Sequence, residues 1–185
     1  MSADTLASAG ERGREIVLRG QSLRGVLAAL SYLAEEALPG SVVGFTLVDP
    51  TGTFISDAVF PSLPPTFENA IVSIPVDAHA GTCVEAIRTG SAVVSNDILG
   101  DIRFDVNWRD LCLRCGIKSL QSIPIRTKRA TEGTFVLGYR TVSQDARWDA
   151  ASMEMFAGLA ADAIDLYRTL AVDAHAARSA SERHP

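Results

Sequence analysis

The order of hydrophobic runs and turns in this 185-residue chain predicts an α+β fold, an antiparallel sheet with helices on its faces. Three observations predict it. Val42–Val48 and Thr53–Phe60 are β-rich runs joined by Asp49-Pro-Thr-Gly52, strong turn chemistry that closes a hairpin. Ser119–Thr127 and Gly133–Thr141 repeat the pattern around a polar turn, Lys128–Glu132. Helical stripes bracket these strands at both ends. Strands that follow one another in pairs call for antiparallel pairing, and the helices then cover the sheet.

The elements follow in order. Residues 1–15 read as a small, polar, loose start. From Ile16 to Ala37 the apolar residues Leu23, Val26, Leu27, Leu30 and Leu33 recur at three or four, a helix stopped by Pro39-Gly40. After the first hairpin, Pro61-Ser-Leu-Pro-Pro65 ends the strand and starts a short helix through Asn69–Ser73. Thr82–Thr89 makes two helical turns closed by Gly90 in the left-handed conformation. Ala92–Ser95 is a short strand, and Phe104–Cys115 a helix ended by Gly116. Asp149–Leu170 is the last helix, with Phe156, Leu159, Ala160, Ala163, Ile164, Tyr167 and Leu170 on one stripe. One domain over 16–172 is expected, with a flexible tail at 173–185.

Composition bounds the function. Hydrophobic residues are 47% of the chain, enough for a real core. The net charge is −5 and the 17 basic residues are scattered, which argues against a nucleic-acid face. No apolar run of about 18 residues exists to span a membrane, and Met1-Ser-Ala-Asp-Thr5 lacks the features of a signal peptide. Three cysteines, an odd number, fit reduced thiols in a cytoplasm.

The segment from Gly81 to Ile125 carries a family resemblance. Asn96-Asp97, Gly116-Ile117 and Ser122-Ile-Pro-Ile125 stand where bacterial GAF domains have similar residues, and Cys83 stands in the cysteine position of their turn. With the element order, this resembles a GAF domain, a PAS-like sensory fold, over roughly residues 22–170. The family carries glycine-rich sequence before the helix at 82, where this chain reads Asp77-Ala-His-Ala-Gly81. The resemblance implies a cytoplasmic, non-catalytic sensor that binds a small molecule between the sheet and the loops at 60–80 and 97–116. It also implies terminal helices packed together, a homodimer joined through them, and a separate output protein.

Candidate binding residues are weighed one at a time. Trp108, Cys112 and Cys115, spaced four and three, share a helical face that lines a pocket or packs on the sheet. Cys112-x-x-Cys115 lacks the second ligand pair of a zinc site and sits near a helix C-terminus, where a thiolate is disfavoured. Plain buried thiols are the leading reading, ahead of metal, redox or bilin attachment. Cys83, at a helix start, is better placed to ionise. The free methionine sulfoxide reductases, GAF-type enzymes with clustered cysteines, are therefore the second reading. They need a further cysteine where this chain has Ile71-Val-Ser-Ile74.

His79 is the one histidine inside the predicted domain, a candidate haem ligand or proton-sensitive contact. Gln121, between apolar neighbours in a strand, needs a polar partner. Tyr139 offers an aromatic wall, and Arg103 beside Phe104 offers charge to an anion. No nucleophile elbow and no glycine-rich phosphate loop are present. An empty dimerisation module is the third reading, favoured by a solid interior.

Overall fold

A computed structural model describes residues 3–143 and 150–181, with side chains described through residue 174. The elements are α1 (Ala3–Arg19), α2 (Leu23–Ala37), β1 (Ser41–Val48), β2 (Ile55–Val59), α3 (Pro65–Ile71), α4 (Thr82–Thr89), β3 (Val93–Ser95), α5 (Val106–Arg114), β4 (Ser119–Arg126), β5 (Thr131–Tyr139) and α6 (Ala150–Ser181). The five strands form one sheet in the order β2-β1-β5-β4-β3, and every neighbouring pair is antiparallel.

Strand alternation divides the molecule into two apolar layers. On one face Val43, Phe45, Ile125, Phe135 and Leu137 lie under α2 and α6, with α1 packed on those two helices. Phe135 stacks on Phe156 of α6 at 5.7 Å and meets Phe45 at 5.3 Å. On the other face Val42, Leu120 and Val136 pack under α3, α4 and α5. The hairpin turn before β2 is organised by Asp49, whose carboxylate accepts the N–H groups of Thr51 (2.9 Å), Thr53 (2.7 Å) and Phe54 (3.0 Å). Gly90 ends α4 at φ 61°, ψ 26°, the left-handed cap that the sequence predicts.

The terminal helices differ from expectation. The predicted loose start is helical from Ala3, and the single predicted helix over 16–37 is two helices broken at Gly20-Gln21-Ser22. Ser22 caps α2 by accepting the N–H of Gly25 at 3.2 Å. The bare Gly20 leaves room for Val26, whose Cγ2 lies 2.1 Å from where a Cβ would stand. Helix α1 escapes a periodicity search because its buried positions are Ala9, Gly10, Gly13 and Val17, mostly small. A helix with so little apolar side chain depends on its tertiary contacts. Helix α6 continues past the predicted end at Leu170 to Ser181, with residues 171–174 exposed.

Candidate functional site

The region of interest lies where α4 begins, beneath α5 and the loop before it. Helix α4 is fixed to the sheet by a buried hydrogen bond, 2.9 Å, between the hydroxyls of Thr82 and Ser122 on β4. Its N-cap is Gly81, at φ 133°. A Cβ there would stand 2.2 Å from both Cε2 and Nε1 of Trp108, so the indole lies directly on bare backbone. The indole is 6% exposed and packs against Phe104, ring centres 5.1 Å apart. Helix α5 is capped by Asp105, which accepts the N–H of Asn107 at 2.7 Å. The Asp105 N–H in turn donates to the His79 carbonyl at 2.9 Å, tying α5 to the preceding loop.

The space under α3, α4 and α5, expected to hold a ligand cavity, is filled. Phe67, Ile71, Cys83, Val84, Phe104, Trp108, Cys112, Ile117 and Leu120 form one buried cluster. Near this cluster the open volume lies at the surface, in two clefts smaller than one of about 540 Å³ between Gly90–Ala92, Ile123–Arg126 and α6. One cleft of about 300 Å³ is lined by His79, Glu85, Arg88, Arg103 and Phe104. A second, of about 250 Å³, is lined by Ala70, Ile74, Ala80, Trp108, Leu111 and Arg114, among others.

The predicted site residues separate into three groups. Cys83, Phe104, Trp108 and Cys112 come together under α5, and Cys115 packs half-buried at its end. His79 and Arg103 reach the neighbouring cleft. Gln121 and Tyr139 do not belong with them. Strand alternation from Leu120 and Val136 turns both toward the α2/α6 face, so the wall expected from Trp108 with Gln121 is not formed. Gln121 is 7% exposed there, and its Oε1 has no partner among the described residues. The His175 side chain and all of His184 lie outside the described residues.

Arg103 is also spent differently from expectation. It makes a two-pronged ion pair with Asp101 (2.8 and 2.6 Å) and donates to the Val94 carbonyl of edge strand β3 at 2.6 Å. It lies 5.0 Å from the Phe104 ring centre. Its guanidinium holds the Asp101 carboxyl below the usual carboxylate range. The arginine therefore closes an open strand edge. Glu85 and Arg88 were missed by sequence reasoning. They pair at 2.6 Å across one turn of α4, a spacing visible in the sequence but ordinary on any helix.

The thiols are not activated. Burial pushes the Cys83 thiol up to about 11, and burial raises Cys112 and Cys115 as well. The helix start that was to favour a Cys83 thiolate is outweighed because the thiol is only 5% exposed among apolar neighbours. No group of three or more His, Cys, Asp and Glu able to hold a metal exists among the described residues. His79 stands exposed on its loop beside Glu85, Arg88 and Arg103, a charged setting that does not fit haem.

The chain is 31% identical over 140 residues to the methyl sulfide methyltransferase-associated sensor of Methanosarcina acetivorans. That match covers 76% of this chain and 14% of the sensor's length. The fold resembles free methionine-R-sulfoxide reductase of Neisseria meningitidis, TM-score 0.70 at 18% identity, over 92% of this chain and 95% of that one. It also resembles the GAF domain of a phosphoenolpyruvate-protein phosphotransferase from Coxiella burnetii, TM-score 0.71 at 13% identity, over 94% and 99%. At these identities the structural likeness speaks for the fold alone. The GAF domain family model matches residues 20–165, with the sheet, α2 to α5 and the first half of α6 inside the match, and the chain belongs to the GAF domain family, a family of signalling sensor domains.

Proposed function

We propose that this chain is a small-molecule-binding, non-catalytic sensor domain whose ligand binds between the start of α4, α5 and the loop at 72–80. The observation that carries the reading is the pair of clefts flanking Trp108 and Phe104, over an apolar interior with no activated nucleophile beneath it. A site of this kind needs apolar walls and a few polar groups at its rim, and His79, Asn107 and Arg114 supply the latter. Binding would reposition α5 and its loop and so bias the helices that a separate output protein reads.

The reductase reading is weaker. Its chemistry needs a thiolate at neutral pH, whereas Cys83 and Cys112 are buried with raised pKa values. The test is thermal melting of the protein against a panel of metabolites, repeated on a variant with Cys83, Cys112 and Cys115 all changed to Ala. A compound that raises the melting temperature equally in both supports the sensor. Reduction of methionine sulfoxide by the parent protein, lost in the variant, would establish the enzyme instead. The filled interior under α5 is what the dimerisation module calls for, and a panel without a single stabilising compound would favour that module over the sensor.

A further inference from the structure

We infer that the slot filled by the Trp108 indole is itself a ligand site held shut by the protein's own ring, and that its ligand is a flat, uncharged aromatic ring system about the size of indole. The inference deepens the ligand-binding reading above and rests on it.

The shape of the slot comes from Gly81. With φ at 133° and no Cβ, this residue presents bare backbone to the indole, and any side chain there would collide with it at 2.2 Å. Bare backbone against one face of a buried ring defines a flat slot. The remaining walls are apolar: the Phe104 ring tilted 59° at 5.1 Å, and Cys112 one helical turn beyond Trp108 on the same buried face. No ion pair reaches into it among the described residues, and such walls select an uncharged ring.

The position of the slot makes it reachable. Trp108 is buried, yet it lines one open cleft, and the Phe104 ring tilted against it lines the other. Withdrawing this single side chain would therefore open the slot to the cleft it lines, with the Phe104 ring left as the wall toward the other. The supports are also unequal. Helix α4 packs directly on β3, β4 and β5 and is anchored there by the buried Thr82–Ser122 pair, whereas α5 makes no comparable contact with any strand. Helix α5 is tied to its surroundings by Asp105 N–H to His79 O (2.9 Å) and by Arg109 to Leu99 O (2.8 Å) on an exposed loop, while Ile117 N–H to Cys112 O (2.9 Å) closes its own last turn. Gly116, at φ 77°, follows it. The lid is α5 and the floor is α4. A ring entering the slot takes over the apolar contacts of the indole it displaces, so the open form regains what the closed form loses.

The test uses the full chain carrying Trp148→Phe, which leaves Trp108 as the single tryptophan of the two in the sequence, labelled with 5-fluorotryptophan. Indole is the probe. The expected fluorine spectrum shows the buried Trp108 resonance giving way to a solvent-exposed one as indole rises to millimolar concentration. In parallel, Trp108→Gly should bind indole at least tenfold more tightly than the parent, because no ring must leave first, and should melt several degrees higher in its presence. If Trp108→Gly does not fold, Trp108→Leu, with a smaller wedge, should show the same preference. An unmoved Trp108 resonance in the presence of bound indole would make the ring a fixed core residue and overturn the slot, as would failure of indole to bind either protein. A metabolite that stabilises the parent while that resonance stays put keeps the sensor reading and removes only the slot.

Discussion

At Gly81 two demands meet: a backbone angle that side chains avoid and an indole pressed against the missing Cβ. Gly81→Ala should therefore cost about 3 kcal/mol, from strain at positive φ and overpacking together. Chemical denaturation measures it. In the Trp108→Leu background the overpacking part should disappear, so the two substitutions should couple strongly in a double-mutant cycle. Asp49 gives a pH signature. Burial pushes its carboxyl up, but the Thr51 hydroxyl and the N–H groups of Phe54, Thr51 and Thr53 outweigh it and hold it well below the usual range. A carboxylate depressed in the folded state stabilises above its unfolded value near 4 and loses that contribution as pH falls. Melting curves should show stability declining below about pH 4, and Asp49→Asn should flatten that decline while lowering stability at pH 7.

Among the elements, α1 shows how much a helix can owe to its neighbours. Its Gly13 is so close to α6 that a Cβ would stand 2.3 Å from Leu159 Cδ1. Gly13→Leu should push α1 off α6 and lower stability by about 2 kcal/mol, with the loss read by urea denaturation. A result near zero would mean α1 adds nothing to the core. At the other end of the sheet, Glu132 beside the β4–β5 turn holds α6 through Arg168 at 2.7 Å. The guanidinium keeps the Glu132 carboxyl below its ordinary value. Hairpin and helix are thus linked by a partly buried ion pair, in addition to the direct packing of Phe135 on Phe156.

For the whole molecule the question is what α6 does beyond the sheet. At 32 residues it is about 48 Å long. Leu170 and Val172, 51% and 63% exposed, lie past its contacts with the strands. We propose that the sensor pairs with a second copy through these terminal helices, at the exposed Leu170 and Val172. Leu170→Glu with Val172→Glu should convert a dimer to a monomer in sedimentation equilibrium without changing the melting temperature of the protomer by more than a degree or two. Unchanged mass would place any dimer contact elsewhere. No helix among the described residues is long and apolar enough to cross a membrane.

Much of this was legible in the chain. Turn residues between β-rich runs determined the hairpins, Gly90 and Gly116 determined where α4 and α5 stop, and the spacing of Trp108 and Cys112 determined which face of α5 turns inward. These are local effects, carried by backbone preference and periodicity, so a single sequence contains them. Helix α1 was not legible, because small residues mark a contact only when the partner helix is in place. The same holds for the site. Alternation on β4 separates Leu120 from Gln121, but which face meets α5 and which meets α6 depends on how the helices wind around the sheet. Arg103 looked available until folding set it beside Asp101 and the β3 edge. Whether the interior is open or shut was likewise decided in three dimensions, by how closely Trp108 can approach the one residue, Gly81, that has no side chain to stop it.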